Sequence, residues 1–62
     1  MPRYLIEYTR EDMPEGYIGQ ALKYGRDEKE AVSFLCKTKP DKSGLFRMKR
    51  GGIAKLKSIT KQ

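Results

Sequence analysis

The chain has 62 residues, with fourteen Lys or Arg against eight Asp or Glu, one Cys, no His and a formal charge of +6. A chain this short forms one domain whose core is small, since it buries only about 60% of the surface its unfolded form exposes. A lone Cys36 and the lack of His exclude an internal disulfide, a histidine-bearing zinc site and an imidazole-activated thiol.

No apolar run approaches the ~20 residues of a bilayer span. The N-terminal residues lack the charged and apolar regions of a signal peptide, and one unpaired thiol suits a reducing compartment. The expectation is a cytoplasmic protein, host or phage, with no membrane contact and no cofactor.

In chain order, residues 3–9 alternate as a strand, with Tyr4, Ile6 and Tyr8 on one face. The polar stretch 10–16, with Pro14 and Gly16, reads as a loop. Residues 17–24 fit two patterns. A strand would put Ile18, Leu22 and Tyr24 on one face, with Gln20 among them; a helix would gather Ile18, Ala21 and Leu22 but carry Gly16 and Gly19, each costing up to ~1 kcal/mol. The first strand needs a sequential partner, which favours a strand hairpinned to it. A helix follows, with Asp27 as N-cap, Glu30 at the capping-box position, and Ala31, Phe34 and Leu35 as its apolar stripe beside Val32. Lys37 near its end suits the helix dipole, and Pro40 terminates it. Residues 37–44 form a loop. Leu45 to Lys49 alternate again, with Phe46 and Met48 facing in. Gly51-Gly52 marks a turn, and 53–59 is a last strand with Ala54 and Leu56 inward. Ile59 is one residue out of step, which a bulge at Lys57-Ser58 would correct. The expected core is Tyr4, Ile6, Tyr8, Ile18, Leu22, Ala31, Phe34, Leu35, Phe46, Met48, Ala54, Leu56 and Ile59. The fold class is α+β: an antiparallel sheet of three to four strands with one helix packed on one face, in ββαββ order.

Charge divides the chain. From Lys37 to Gln62 there are nine Lys or Arg and one acid, Asp41; from Met1 to Cys36 there are five bases and seven acids. In the last hairpin a loop of Arg50-Gly51-Gly52 keeps apolar residues on one face, pairing Phe46 with Leu56 and Met48 with Ala54. Arg47 then faces Lys55, and Lys49 and Lys57 share their side, with Arg50 at the turn. Opposed like charges destabilise a sheet by roughly 0.2–1 kcal/mol per pair. Such a face serves either as a solvated guard of a sheet edge or as a phosphate-binding surface, which the glycine turn can approach closely. The deficit of acids favours the second. The candidate nucleic-acid-binding residues are therefore Arg47, Lys49, Arg50, Lys55 and Lys57, for RNA or single-stranded DNA. The alternative is a protein-interaction module that pairs through an exposed strand edge, with a homo-oligomer or an acidic protein as partner.

Gly16-Tyr17-Ile18-Gly19 has KH-type glycine spacing but apolar residues where a backbone clamp needs exposed polar ones. Nucleotide-binding glycine loops are absent. Tyr17 is the best candidate for base stacking. No paired carboxylates, metal ligands or nucleophile–base set can be assembled, so no catalytic residue and no enzyme activity is expected.

The ending Lys49-Arg50-Gly51-Gly52-Ile53-Ala54-Lys55-Leu56-Lys57-Ser58-Ile59, after an acid-capped helix from Asp27 to Ala31, resembles the archaeal large-subunit ribosomal protein LX family. It departs from that family at Lys23 and Gly25, where the family has apolar or small core residues, and by an extra residue after the basic pair. The resemblance implies ribosomal RNA contact through Lys49 and Arg50.

Overall fold

The structure, a computed structural model, describes all 62 residues. Strands β1 (Arg3–Arg10) and β2 (Gly19–Tyr24) precede a helix α1 (Glu28–Ser33), and strands β3 (Leu45–Arg47) and β4 (Ile53–Lys61) follow it. The four strands make one sheet in the order β2-β1-β4-β3, antiparallel throughout. The fold is a small α+β arrangement. The expected ββαββ order, with one helix packed on one face, is met only loosely: α1 has six residues, lies mainly over β1 and β2, and is followed by eleven residues before β3 begins.

Residues 17–24 resolve as a strand over Gly19–Tyr24, but with the opposite face inward. Gly19, Ala21 and Lys23 turn toward the core, while Leu22 and Tyr24 are 53% and 58% exposed. The reason is space. The Tyr8 ring lies so close over Gly19 that any Cβ there would collide with it. α1 crosses the same hairpin, so the inner side of β2 takes small residues. Ile18 and Phe34 are also exposed, and Val32 and Cys36 take their place in a core with Tyr4, Ile6, Tyr8, Ala31, Phe46, Met48 and Ala54. Leu35, Leu56 and Ile59, expected in the core, are half-buried and pack at its margin.

Asp27 caps α1, its side chain accepting the Glu30 N–H at 2.8 Å. The reciprocal half of the capping box is displaced by one residue: Glu30 accepts the Arg26 N–H at 3.0 Å and the Arg26 guanidinium at 2.8 Å. These bonds, the backbone one foremost, hold the Glu30 carboxyl below its ordinary range. The helix stops at Ser33, short of the expected Lys37 and Pro40. The Ser33 hydroxyl bonds back to the Glu30 carbonyl at 2.6 Å, and Cys36, whose N–H donates to the Val32 carbonyl at 3.1 Å, forms a bridge with Met48. Lys37 therefore lies beyond the helix and plays no part in its last turn.

β1 and β4 form the centre of the sheet. Their register shifts between Glu7 and Tyr8: Tyr8 lies opposite Leu56, and Glu7 lies opposite Ser58. Lys57 is thus the extra residue, at the expected bulge, and Ile59 returns to the inner face opposite Ile6.

Candidate functional site

The β3–β4 hairpin pairs Leu45 with Lys55, Phe46 with Ala54 and Arg47 with Ile53. The Met48 N–H donates to the Gly52 carbonyl and the Gly51 N–H to the Met48 carbonyl. The loop is therefore Lys49-Arg50-Gly51, a three-residue loop as expected but one position earlier. Gly51 has φ +99°, the left-handed conformation that closes such loops. This overturns the expected pairs Phe46–Leu56 and Met48–Ala54. The shift moves each partner by two residues, so every residue that stays in a strand keeps its face, and hydrophobic patterning is blind to it.

The consequence for the cations is larger. Arg47 and Lys55 share the outer face, away from α1, but Arg47 lies opposite Ile53 while Lys55 lies opposite Leu45 and Thr9. They are diagonal neighbours rather than a directly opposed pair. Arg50 is exposed in the turn and Lys57 is exposed at the bulge. Lys49 departs to another side: its N–H donates to the Leu35 carbonyl, and its charge partly offsets the burial that pushes the Cys36 thiol up. The expected single face of four stacked cations is not formed.

The hairpin turn gathers other cations instead. Lys37 is drawn to β3 by a bond from its N–H to the Arg47 carbonyl, 2.6 Å. With Arg47, Gly51 and Gly52 it lines a depression of about 280 Å³. Arg10, from the end of β1, reaches the Gly51 carbonyl at 3.4 Å and pairs with Asp12 at 2.9 Å. That bond lowers the Asp12 carboxyl and raises the guanidinium. Reading residues in sequence missed Lys37 and Arg10, because both arrive through long-range pairing; the one available signal was Cys36, whose apolar character four residues after Val32 places the following residue at the core margin.

A second, wider groove of about 620 Å³ lies on the inner side, between α1, the segment after it and β4. Its floor includes Val32, Cys36, Leu56 and Ile59, and Lys29, Lys37 and Lys39 stand on its rim. Lys37 borders both hollows.

The chain has two salt bridges, Arg10–Asp12 and Arg26–Glu30. None of the nine basic residues from Lys37 onward is in either. The one acid among them, Asp41, accepts the N–H groups of Ser43 at 2.8 Å and Leu45 at 3.1 Å, folding its charge onto its own loop. No three His, Cys, Asp or Glu side chains group as metal ligands would. No helix is long and apolar enough to cross a membrane.

Comparison with family models, with curated proteins and with solved structures finds no match. None of these comparisons bears on the resemblance of residues 27–31 and 49–59 to the ribosomal protein LX family.

Proposed function

We propose that the chain binds single-stranded nucleic acid, RNA or DNA, non-enzymatically and through phosphates, at the β3–β4 end of the sheet. The carrying observation is the set of nine cations outside any salt bridge, with their only neighbouring acid in sequence turned onto backbone amides. Fixed positive charge without internal partners is what counterion release requires. Lys37, Arg47 and Arg50 around the Gly51-Gly52 turn are the centre of the proposed site, with Lys49, Lys55 and Lys57 as flanking contacts. The Lys49 and Gly51 N–H groups are engaged by the Leu35 and Met48 carbonyls, which leaves the Arg50 and Gly52 amides as the turn's donors to an anion. Affinity comes from charge, with little base specificity. A solution of the protein in a cell's cytoplasm would meet such a ligand directly, and an acidic protein surface is the competing occupant of the same cations.

Fluorescence anisotropy with labelled RNA and single-stranded DNA tests this. If about four phosphates are neutralised, the log–log salt slope on single strands is near −3. A Lys37→Glu, Arg47→Glu double substitution weakens binding to all sequences alike and flattens the slope, because phosphate contacts carry no sequence information. Absence of binding at low salt, where charge attraction is strongest, removes the proposal and leaves the cations as a solvated surface.

A further inference from the structure

β2 is one edge of the sheet. The Gly25 N–H donates to the Pro2 carbonyl, the position next to the Tyr24–Arg3 pair. Alternation along an antiparallel ladder then turns the N–H and C=O groups of Gly19, Ala21 and Lys23 toward β1, and those of Gln20, Leu22 and Tyr24 toward the open edge. The Leu22 and Tyr24 side chains are also the most exposed large apolar ones after Met1. The other edge, β3, is only three residues long and carries Arg47. β2 has few of the usual guards: it is six residues long, holds no Pro and shows no register shift, and its one protective charge, Lys23, faces inward and is half-buried, leaving the outer face of the edge to Gln20, Leu22 and Tyr24.

We infer that this edge pairs with the β2 edge of a second copy of the chain, antiparallel about a two-fold axis at Leu22, joining two sheets into one of eight strands. Leu22 then faces Leu22 of the second copy, and Gln20 faces Tyr24. The outer face favours a second copy over an unrelated strand. Leu5 already lies opposite Leu22, so the central row becomes Leu5, Leu22, Leu22 and Leu5. Glu7 lies opposite Gln20, and Arg3 opposite Tyr24. The flanking row therefore runs from Glu7 through Gln20 to the second copy's Tyr24 and Arg3, with an acid at one end and a base at the other, and the two-fold repeats it on the other side. No like charges meet. Residues 13–25 carry one acid and one base, so this is the approach by which two chains of charge +6 meet without bringing their cations together. A contact built on the six residues of β2 falls well short of the roughly 20–30 residues a side of standard complexes, so the dimer is concentration-dependent.

Cysteine substitutions in a Cys36→Ala background, oxidised with diamide after nuclease treatment and in high salt, test both the partner and the register. Leu22→Cys alone should form a disulfide dimer, since directly opposed residues in a hydrogen-bonded pair have Cα atoms about 5.5 Å apart, within disulfide range. Gln20→Cys and Tyr24→Cys should cross-link only when mixed. Sedimentation equilibrium of the unsubstituted chain should show mass rising toward a dimer with concentration, and Leu22→Lys should return it to monomer with an unchanged circular dichroism spectrum. A monomer at every concentration, a dimer that survives Leu22→Lys, or Gln20→Cys cross-linking to itself as fast as Leu22→Cys overturns the inference.

Discussion

Asp27 and Glu30 divide the entrance of α1 between them. Asp27 satisfies one orphan helical N–H, and Glu30 reaches past the cap to the Arg26 backbone and side chain. The Asp27 cap was legible because an acid just before a short apolar run, with Glu three residues on, has few other uses. The displaced Glu30 bond was not legible, since it depends on where the chain enters from Gly25. Asp27→Ala should lower stability by about 0.5–2 kcal/mol, because the Glu30 N–H loses its acceptor. A chemical-denaturation midpoint is the measurement, with Asp27→Asn expected to retain most of the difference.

At the scale of elements, the helix and the strands other than β2 were readable from periodicity, and so was the bulge: Ile59 was out of step by one residue, and one extra residue is what Lys57 supplies. The inverted face of β2 was not readable. Leu22 is the larger apolar group, but the Tyr8 ring admits only Gly19 beneath it, and a glycine is a position that a hydrophobicity pattern scores as weak. The hairpin register failed for a different reason, since a two-residue shift leaves every face unchanged. The bulge gives a direct prediction. Deleting Lys57 leaves Leu56 opposite Tyr8 and Ser58 opposite Glu7 in regular pairing, so the protein should still fold, with a less bent β4. Amide chemical shifts should change around residues 55–59 and 7–8 and hold elsewhere in the sheet. Loss of the folded spectrum would mean that the bend itself is required for packing Ile59 against Ile6.

For the whole molecule, the cationic half was visible in the sequence, but its layout was not. Charge composition locates a basic segment; only long-range pairing brings Lys37 and Arg10 to the Gly51-Gly52 turn. Nine cations outside salt bridges on so small a body repel one another, and salt screens that repulsion as the Debye length falls from about 30 Å at 0.01 M to about 8 Å at 0.15 M. The thermal midpoint should therefore rise with sodium chloride over that range. At equal ionic strength sodium phosphate should raise it further, because an anion bound to the native state adds its binding free energy to stability. Equal midpoints in the two salts would show a diffuse field with no phosphate site at the turn.

The central pairing of β1 with β4 has a kinetic consequence. Two hairpins can form locally, β1 with β2 and β3 with β4, but each leaves one strand edge that only the other hairpin pairs and an apolar face that awaits α1 and the segment after it. The ladder that joins them links Tyr4 to Lys61 and Arg10 to Ala54, so it closes the longest loop in the chain before it gains any contact. Such non-local topology slows folding relative to helical chains of equal length. The transition state should hold the β1–β4 contacts, Ile6 with Ile59 foremost, and α1 should dock afterwards.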